Sequence, residues 1–120
     1  MKRVQEINEQ SFASEVLEST APVVVDVYAP WCGPCRMLAP ILEDVAAEFE
    51  GRLKVVKINV DEAPQLAAHY GIRGVPSLLI FDHGELKDTV VGLQPAALLK
   101  KTLGAHACSP RRVGVCGCSA

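Results

Sequence analysis

The apolar positions of this chain follow two patterns that alternate along it. β-rich runs occupy 23–28, 53–60 and 77–81. The first is β-branched with little alternation of polar and apolar positions, which is typical of a strand that is covered on both faces. Between them, apolar residues recur every three or four positions, as on one face of a helix. Strands that alternate with helices predict an α/β domain.

The N-terminal part predicts a short strand and a helix ahead of the first long strand. Val4 and Ile7 are the apolar residues of the short strand. Asn8 or Ser11 can cap the helix, which ends before Pro22. The apolar side of that helix consists of Phe12, Val16 and Leu17.

A long amphipathic helix is predicted from Pro34 onward and ends before Gly51. Its apolar residues keep helical spacing, and they are Leu38, Ile41, Leu42, Val45 and Phe49. After the strand at 53–60, Asp61 can cap a short helix that stops at Gly71.

The C-terminal half predicts a β-hairpin and a last helix. The segment 82–85 contains a glycine and joins two β-rich runs, which favours a tight hairpin turn. Pro95 opens the last helix and Gly104 closes it, with Leu98, Leu99 and Leu103 on one face. The order β-α-β-α-β-α-β-β-α predicts a mixed sheet with helices on both sides, parallel at first and ending in an antiparallel hairpin.

Regular patterning ends after Gly104. We therefore predict one domain over residues 1–105 and an irregular extension over 106–120, which carries three of the five cysteines.

Composition narrows the class of protein. The 120 residues include 12 basic and 14 acidic side chains, which argues against a general nucleic-acid or anionic-membrane binder. We see neither a secretory signal nor an apolar run of about 20 residues that could span a bilayer. The expectation is a soluble, cytoplasmic monomer.

Two cysteines lie where the first long strand gives way to the long helix. Cys32 can be held as a thiolate by the first-turn N–H groups and the positive end of the helix dipole. Cys35 lies three residues later, on the same side of the first turn, and can attack a mixed disulfide formed by Cys32. Gly33 permits the tight turn, and Pro34 loses little there by lacking an N–H. The pattern predicts that Cys32 is the nucleophile and Cys35 the resolving thiol.

The alternative for a CxxC pair is half of a zinc site. The second half is missing from residues 1–105, because no further cysteine occurs there and His69 and His83 stand apart from one another. Redox chemistry is therefore favoured over zinc.

One acidic residue interrupts the first long strand. Buried without a partner, Asp26 would hold its proton more tightly than a free aspartate and could exchange it with Cys35 through a water molecule. Lys57, in the next β-rich run, is its candidate partner. From the residues alone, a role in proton exchange and a purely structural buried pair of Asp26 and Lys57 are equally well supported.

Three readings remain open for the extension. It can be an irregular tail. It can also be redox-active, in that Cys116 and Cys118 form a strained disulfide, or a tail thiol exchanges disulfides with Cys32 or regulates the domain. The third reading is a metal site, for which the spacing fits no trusted zinc pattern. Its ligands would be His106, Cys108, Cys116 and Cys118.

Three segments resemble the thioredoxin family: the run 25–40, which contains Trp31-Cys32-Gly33-Pro34-Cys35, and the segments 70–77 and 91–92. The resemblance covers about residues 1–105 and implies a thioredoxin fold, a five-stranded mixed sheet flanked by four helices, with a cis peptide at Val75-Pro76. It favours a proton-handling role for Asp26 and Lys57. It also implies an apolar groove for partner proteins, formed by Trp31, Gly33, Pro34, Ile72, Gly74, Val75, Pro76 and Gly92. Two modest departures from the family pattern are Tyr28 and Ser77.

The same resemblance implies a general protein-disulfide reductase and electron carrier that holds no bound cofactor other than its redox-active disulfide. Electrons would come from a thioredoxin reductase and pass to proteins such as ribonucleotide reductase, peroxiredoxin and methionine sulfoxide reductase. The alternatives are an oxidant or isomerase of the same fold, a glutathione-dependent enzyme, and a binding module in which the cysteines are incidental.

Overall fold

The structure is a computed structural model that describes residues 4–107. Its sheet has five strands in the order β1-β3-β2-β4-β5. β1, β3 and β2 run parallel, whereas β4 and β5 are antiparallel to their neighbours. The strands are β1 Gln5–Ile7, β2 Val23–Tyr28, β3 Lys54–Asn59, β4 Ser77–Asp82 and β5 Glu85–Val91. The predicted mixed sheet is confirmed.

Four helices accompany the sheet, which confirms the predicted fold. They are α1 Glu9–Phe12, which continues as a π-helical segment over Ala13–Leu17, α2 Gly33–Glu48, α3 Pro64–His69 and α4 Ala96–Gly104. A short 3₁₀ turn, Val60–Glu62, links β3 to α3.

The sheet separates the core into two layers, and helices cover each of its faces. On one face α2 and α4 pack against Val24, Leu78 and Ile80. On the other face α1 and α3 pack against Val25, Val27 and their neighbours. All residues from Val23 to Val27 are buried, as an unbroken apolar run in a central strand predicts. Asp26 follows the same alternation and points to the face that carries α2.

Both residues that the sequence offered as caps of the first helix take part in its cap. The Asn8 side chain accepts the Ser11 N–H at 2.9 Å, and the Ser11 hydroxyl oxygen accepts the Asn8 N–H at 3.1 Å. This reciprocal arrangement is a capping box.

Two sequence expectations are wrong in detail. Asp61 does not cap α3, and its own N–H donates to the Asn59 side chain. In the first turn of α3, the Leu66 N–H donates at 2.9 Å to Oε2 of Glu9, a residue distant in sequence. Leu98 does not share the buried face of α4. It lies about 100° around the helix from Leu99, which is buried, and it is 48% exposed.

Candidate active site

The cysteine pair occupies the corner between β2 and α2. Cys32 is the N-cap residue of α2, and its Sγ accepts the N–H of Cys35 at 3.1 Å. The Cys32 N–H donates to Ala29 O at 3.1 Å, which closes the turn that leaves β2. Cys32 and Cys35 form a disulfide, with their Cα atoms 5.2 Å apart. The two sulfurs can therefore exchange between a closed disulfide and a dithiol within a single helical turn.

The start of α2 favours negative charge on Cys32. The Cys35 N–H points at its sulfur, and the dipole of a 16-residue helix adds positive potential at the same end. Pro34 occupies the first turn, where it removes an N–H that would have no helical partner. No acidic residue lies in that turn to oppose an anion. These features of the start of α2 stabilise negative charge at Cys32 Sγ.

The cysteines are shielded, while an aromatic residue beside them is open to solvent. Cys32 and Cys35 are about 5% and 4% exposed, whereas Trp31 is 68% exposed. The Trp31 Nε1–H donates to Asp61 Oδ2 at 3.0 Å, which fixes the orientation of the indole. A partner chain that reaches Cys32 must therefore pass beside Trp31.

A proline loop faces the cysteines from the start of β4. The Val75-Pro76 peptide is cis, as the resemblance implied, and Val75 O lies 3.9 Å from Cys32 Sγ. The Gly92 N–H donates to Pro76 O at 2.8 Å, and Ser77 Oγ donates to Gly74 O at 2.6 Å. These bonds attach the loop to the ends of β4 and β5.

The expected groove residues fall into two groups. Trp31, Gly33 and Pro34 form the corner itself, and all three are exposed. Gly74, Val75 and Pro76 belong to the facing loop, and Gly92 lies just after β5 and bonds to that loop through Pro76 O. Ile72 is half-buried and packs against the cluster on the α1 and α3 face. Sequence reasoning missed Val60, which packs against the cysteine cluster at the end of β3.

Asp26 is buried in the sheet directly opposite Lys57 on β3. It is 3% exposed, and its Oδ1 has no hydrogen-bond partner among the described residues. Burial raises the pKa of Asp26 from its ordinary 3.8 to about 7, and the positive charge of Lys57 opposes part of that rise. A carboxyl with this pKa both holds and releases a proton near neutral pH.

A cavity connects this carboxyl with the resolving cysteine. Its volume is about 230 Å³, and both Asp26 and Cys35 line it, together with Lys57, Tyr28 and Ala39. Such a volume exceeds the roughly 30 Å³ that one water molecule occupies in the liquid. The cavity therefore has room for water between Asp26 and Cys35.

A charged row crosses the sheet beside this cavity. Glu6 on β1 and Asp26 on β2 both pair in register with Lys57 on β3. Tyr28, at the end of β2, contacts two members of this row. Its hydroxyl donates to Glu6 Oε2, and its ring centre lies 5.6 Å from Lys57 Nζ. That spacing is within the range of a cation–π contact. Glu6 and Tyr28 are thus further neighbours of Asp26 and Lys57, and the signal that could have revealed Glu6 is the parallel register of β1 on β3.

Comparisons with known proteins agree with this geometry. The family model described as Thioredoxin matches residues 3–105. Thioredoxin 1 of Nostoc sp. is 49% identical over 106 residues, which are 88% of this chain and 99% of that protein. Thioredoxin 1 of Synechococcus elongatus is 50% identical over 100 residues, 83% of this chain and 94% of that protein. The chain belongs to the thioredoxin family.

With the Cys32–Cys35 disulfide, membership makes the chain a thioredoxin-type protein-disulfide oxidoreductase. The chloroplastic M-type thioredoxin of Spinacia oleracea is also related, at 44% identity over 86% of this chain and 57% of that protein. The family match ends at residue 105, and the division into a domain over 1–105 and an extension over 106–120 stays a prediction.

The candidate metal site of the extension lies mostly beyond the described residues. Cys108, Cys116 and Cys118 fall outside residues 4–107, whereas His106 Nε2 lies 3.4 Å from Asp88 Oδ2. Within residues 4–107, no three histidine, cysteine, aspartate or glutamate side chains come together as a metal site would require. No helix in that range has the length and apolar character to cross a membrane.

Proposed function

We propose that the protein is a general reductant of protein disulfides in the cytoplasm, with Cys32 as the attacking thiolate. The observation that carries the proposal is the Cys35 N–H directed at Cys32 Sγ at the start of α2, beside the Val75-Pro76 loop. This sulfur combines a stabilised negative charge with a position beside the backbone of the proline loop, 3.9 Å from Val75 O.

The reaction proceeds in two exchanges. The Cys32 thiolate attacks a disulfide of the target, forms a mixed disulfide and releases one target thiolate, which takes up a proton. Cys35 then attacks the Cys32 sulfur, the Cys32–Cys35 disulfide forms, and the second target thiol leaves. Two electrons pass from the protein to the target.

The second exchange requires Cys35 to lose a proton. Asp26 accepts it across the shared cavity and returns it on the next cycle, while Lys57 moderates the proton affinity of Asp26. The pKa of about 7 suits both directions of transfer near neutral pH.

The target chain binds across the surface between the corner and the proline loop. Trp31, Gly33 and Pro34 contact it on one side, and the backbone at Gly74, Val75 and Pro76 on the other. Ile72 and Gly92 complete the apolar groove.

Electrons return to the disulfide from a thioredoxin reductase, and the reduced protein serves targets such as ribonucleotide reductase, peroxiredoxin and methionine sulfoxide reductase. Because the thioredoxin family resembled by this chain draws electrons from an NADPH-linked flavoprotein reductase or, in some lineages, from a ferredoxin-linked one, the ferredoxin-linked reductase is the alternative donor. Assays with each reductase separate the two.

The first test is insulin reduction by the full chain, with NADPH and a thioredoxin reductase or with dithiothreitol. We expect Cys32→Ser to reduce the rate to that of the assay without protein, because the attacking thiolate is lost. A wild-type rate no higher than that of Cys32→Ser would show that the protein is not a disulfide reductase.

A further inference from the structure

Asp26 borders two cavities. The first is the cavity of about 230 Å³ that Cys35 also lines, and we call it the cysteine cavity. The second has a volume of about 150 Å³ and is lined by Glu43, and we call it the Glu43 cavity. Asp26, Lys57 and Ala39 line both cavities. The other residues that line the Glu43 cavity are Val4, Pro40 and Leu42. The two cavities therefore adjoin one another at the buried carboxyl.

One face of α2 runs along both cavities. Cys35, Ala39 and Glu43 follow one another at intervals of four residues, so they lie on the same face of the helix. The small side chain of Ala39 leaves space between the other two. Glu43 lies about 12 Å further along the helix axis than Cys35. This face thus leads from the resolving cysteine, past the buried carboxyl, to a second carboxyl away from the active-site corner.

The Glu43 carboxylate is held where its cavity meets the surface. Its Oε2 accepts the Val4 N–H at 3.3 Å, which attaches it to the backbone just before β1. Glu43 is half-buried, and Ala39 and Pro40 beside it are exposed. The volume of about 150 Å³ exceeds the roughly 30 Å³ that one water molecule occupies in the liquid. The Glu43 cavity therefore has room for water between Asp26 and a carboxylate that solvent reaches.

The cysteine cavity meets the surface at the corner that receives the target. Pro30 and Arg36 line it, both are exposed, and Arg36 Nη2 donates to Pro30 O at 2.7 Å. Both residues lie next to Trp31 and Pro34, which contact the target in the proposed function. A bound protein therefore separates the cysteine cavity from solvent, whereas the Glu43 cavity, about 12 Å away along α2, stays open.

The elements around Asp26 supply several charged and titratable groups. Lys57 on β3 favours the ionised form of Asp26, and Asp26 Oδ1 has no hydrogen-bond partner among the described residues. On β4 the residue paired with Asp26 is the uncharged Leu78. The remaining groups are Glu6 on β1, Tyr28 on β2, and Cys35, Arg36 and Glu43 on α2. Among these groups, Glu43 is the carboxylate that shares a cavity with Asp26.

We propose that Glu43 is a positioning residue for proton transfer, which connects Asp26 with solvent through the Glu43 cavity while a bound target closes the cysteine cavity. The inference rests on the proposed role of Asp26 as acceptor of the Cys35 proton. In the reduced protein at and below pH 7, Cys35 and much of the Asp26 population carry protons. Asp26 must then lose its own proton before it can accept another.

The proposed steps balance in protons and electrons. Protonated Asp26 gives its proton to water in the Glu43 cavity, and the Glu43 carboxylate takes it up and passes it to solvent. The Asp26 carboxylate then accepts the Cys35 proton through the cysteine cavity. The Cys35 thiolate attacks Cys32 Sγ, the Cys32–Cys35 disulfide forms, and the target thiolate leaves and takes up a proton from solvent. One proton has left the protein, and the target has gained one.

The test measures the second exchange in the full chain, with and without Glu43→Gln. Reduced protein is mixed with insulin, quenched with acid at successive times and analysed by peptide mass spectrometry without reductant. The measured rate is the conversion of the Cys32 mixed disulfide into the Cys32–Cys35 disulfide. We expect Glu43→Gln to slow this conversion several-fold at pH 6 and to leave it unchanged at pH 8, where most Asp26 is already ionised.

The direction of the change distinguishes proton transfer from a simple effect of charge. Removing the negative charge of Glu43 favours the ionised form of Asp26 and lowers the pKa of Asp26. By itself this would speed the conversion at pH 6, because more Asp26 could accept a proton. Glutamine also keeps an oxygen that can accept the Val4 N–H. An unchanged or faster conversion in Glu43→Gln at pH 6 would overturn the proposal.

Two variants at neighbouring positions are the controls. Glu43→Asp keeps a carboxylate on the cavity and should recover most of the wild-type rate at pH 6. Asp44→Asn removes the same charge at an exposed position next to Glu43 and should leave the rate unchanged. A rate in Glu43→Asp as low as in Glu43→Gln, or equal slowing in Asp44→Asn, would contradict the role of the Glu43 carboxylate.

A small disulfide tests whether the target closes the cysteine cavity. Hydroxyethyl disulfide joins only a hydroxyethyl thiol to Cys32, so the cysteine cavity stays open to solvent. We expect wild type and Glu43→Gln to form the Cys32–Cys35 disulfide at equal rates with this compound at pH 6. If Glu43→Gln slows the reaction equally with insulin and with the small disulfide, the proposal is wrong.

Asp26→Asn separates failure of this inference from failure of the proposed function. If Asp26→Asn slows the conversion and Glu43→Gln does not, the inference is wrong and the role of Asp26 stands. If Asp26→Asn has no effect, the proposed proton transfer to Asp26 is itself wrong. If insulin forms no mixed disulfide at Cys32 in any of these chains, the proposed reductase function is wrong.

Discussion

The buried carboxyl of Asp26 lowers the free energy of unfolding when it is ionised. The pKa of Asp26 is about 7 in the folded protein and 3.8 ordinarily, so the native state binds this proton more tightly than the unfolded chain. Its contribution to the free energy of unfolding therefore falls as pH rises from about 4 to about 7. Above pH 7 the penalty for the ionised carboxylate is present in full, on the order of 4 kcal/mol.

Asp26→Asn removes this penalty. We expect the free energy of unfolding, measured in urea, to rise by up to about 4 kcal/mol at pH 8 and to change little at pH 4, where the aspartate is protonated in the native state. Insulin reduction should become slower, because Cys35 loses its proton acceptor. The matched control is Asp44→Asn, the same change at an exposed position on α2. Equal gains in stability at both pH values, or unchanged turnover, would contradict the account of Asp26.

At the scale of elements, the β4–β5 hairpin depends on the backbone conformation of its turn and on the contact of that turn with the π-helical segment Ala13–Leu17. His83 and Gly84 have φ of 54° and 81°, which two-residue hairpin turns of this hand require. A Cβ added to Gly84 would lie 2.9 Å from Leu17 O at the end of the π-helical segment. The hairpin therefore depends both on left-handed backbone and on close approach to another element.

Gly84→Ala should lower the free energy of unfolding in urea by about 1–2 kcal/mol from the left-handed conformation and by about 1–3 kcal/mol more from the contact with Leu17 O. Gly51→Ala isolates the first effect, since Gly51 has φ of 82° and its added Cβ would meet no atom within 4 Å. Equal losses in the two variants would mean that the approach of Leu17 costs nothing.

Over the whole molecule, features that depend on neighbouring residues could be predicted from the sequence, and features that depend on contacts between distant residues could not. The run at 23–28, the Asn8 and Ser11 cap and the order of elements follow from neighbouring residues, and all are found. The α3 terminus depends on Glu9, more than 50 residues away, so Asp61 was assigned a cap that it does not form.

The candidate site divides in the same way. The CxxC corner and Asp26 could be predicted because residue type and position along a strand or helix determine their chemistry. Lys57 could be predicted as a partner of Asp26, but the place of Glu6 beside Lys57 required the register of β1 on β3, and the contact of Tyr28 with Lys57 required side-chain positions. Neither can be derived from local pattern.

The central claim is that Cys32 attacks and Cys35 resolves. The most direct measurement is to mix reduced Cys35→Ser and Cys32→Ser chains separately with insulin, quench with acid, and analyse the products without reductant. The account predicts an accumulated mixed disulfide at Cys32 in the Cys35→Ser chain and none at Cys35 in the Cys32→Ser chain. A mixed disulfide at Cys35 in the Cys32→Ser chain, in amounts equal to or above those at Cys32, would contradict it.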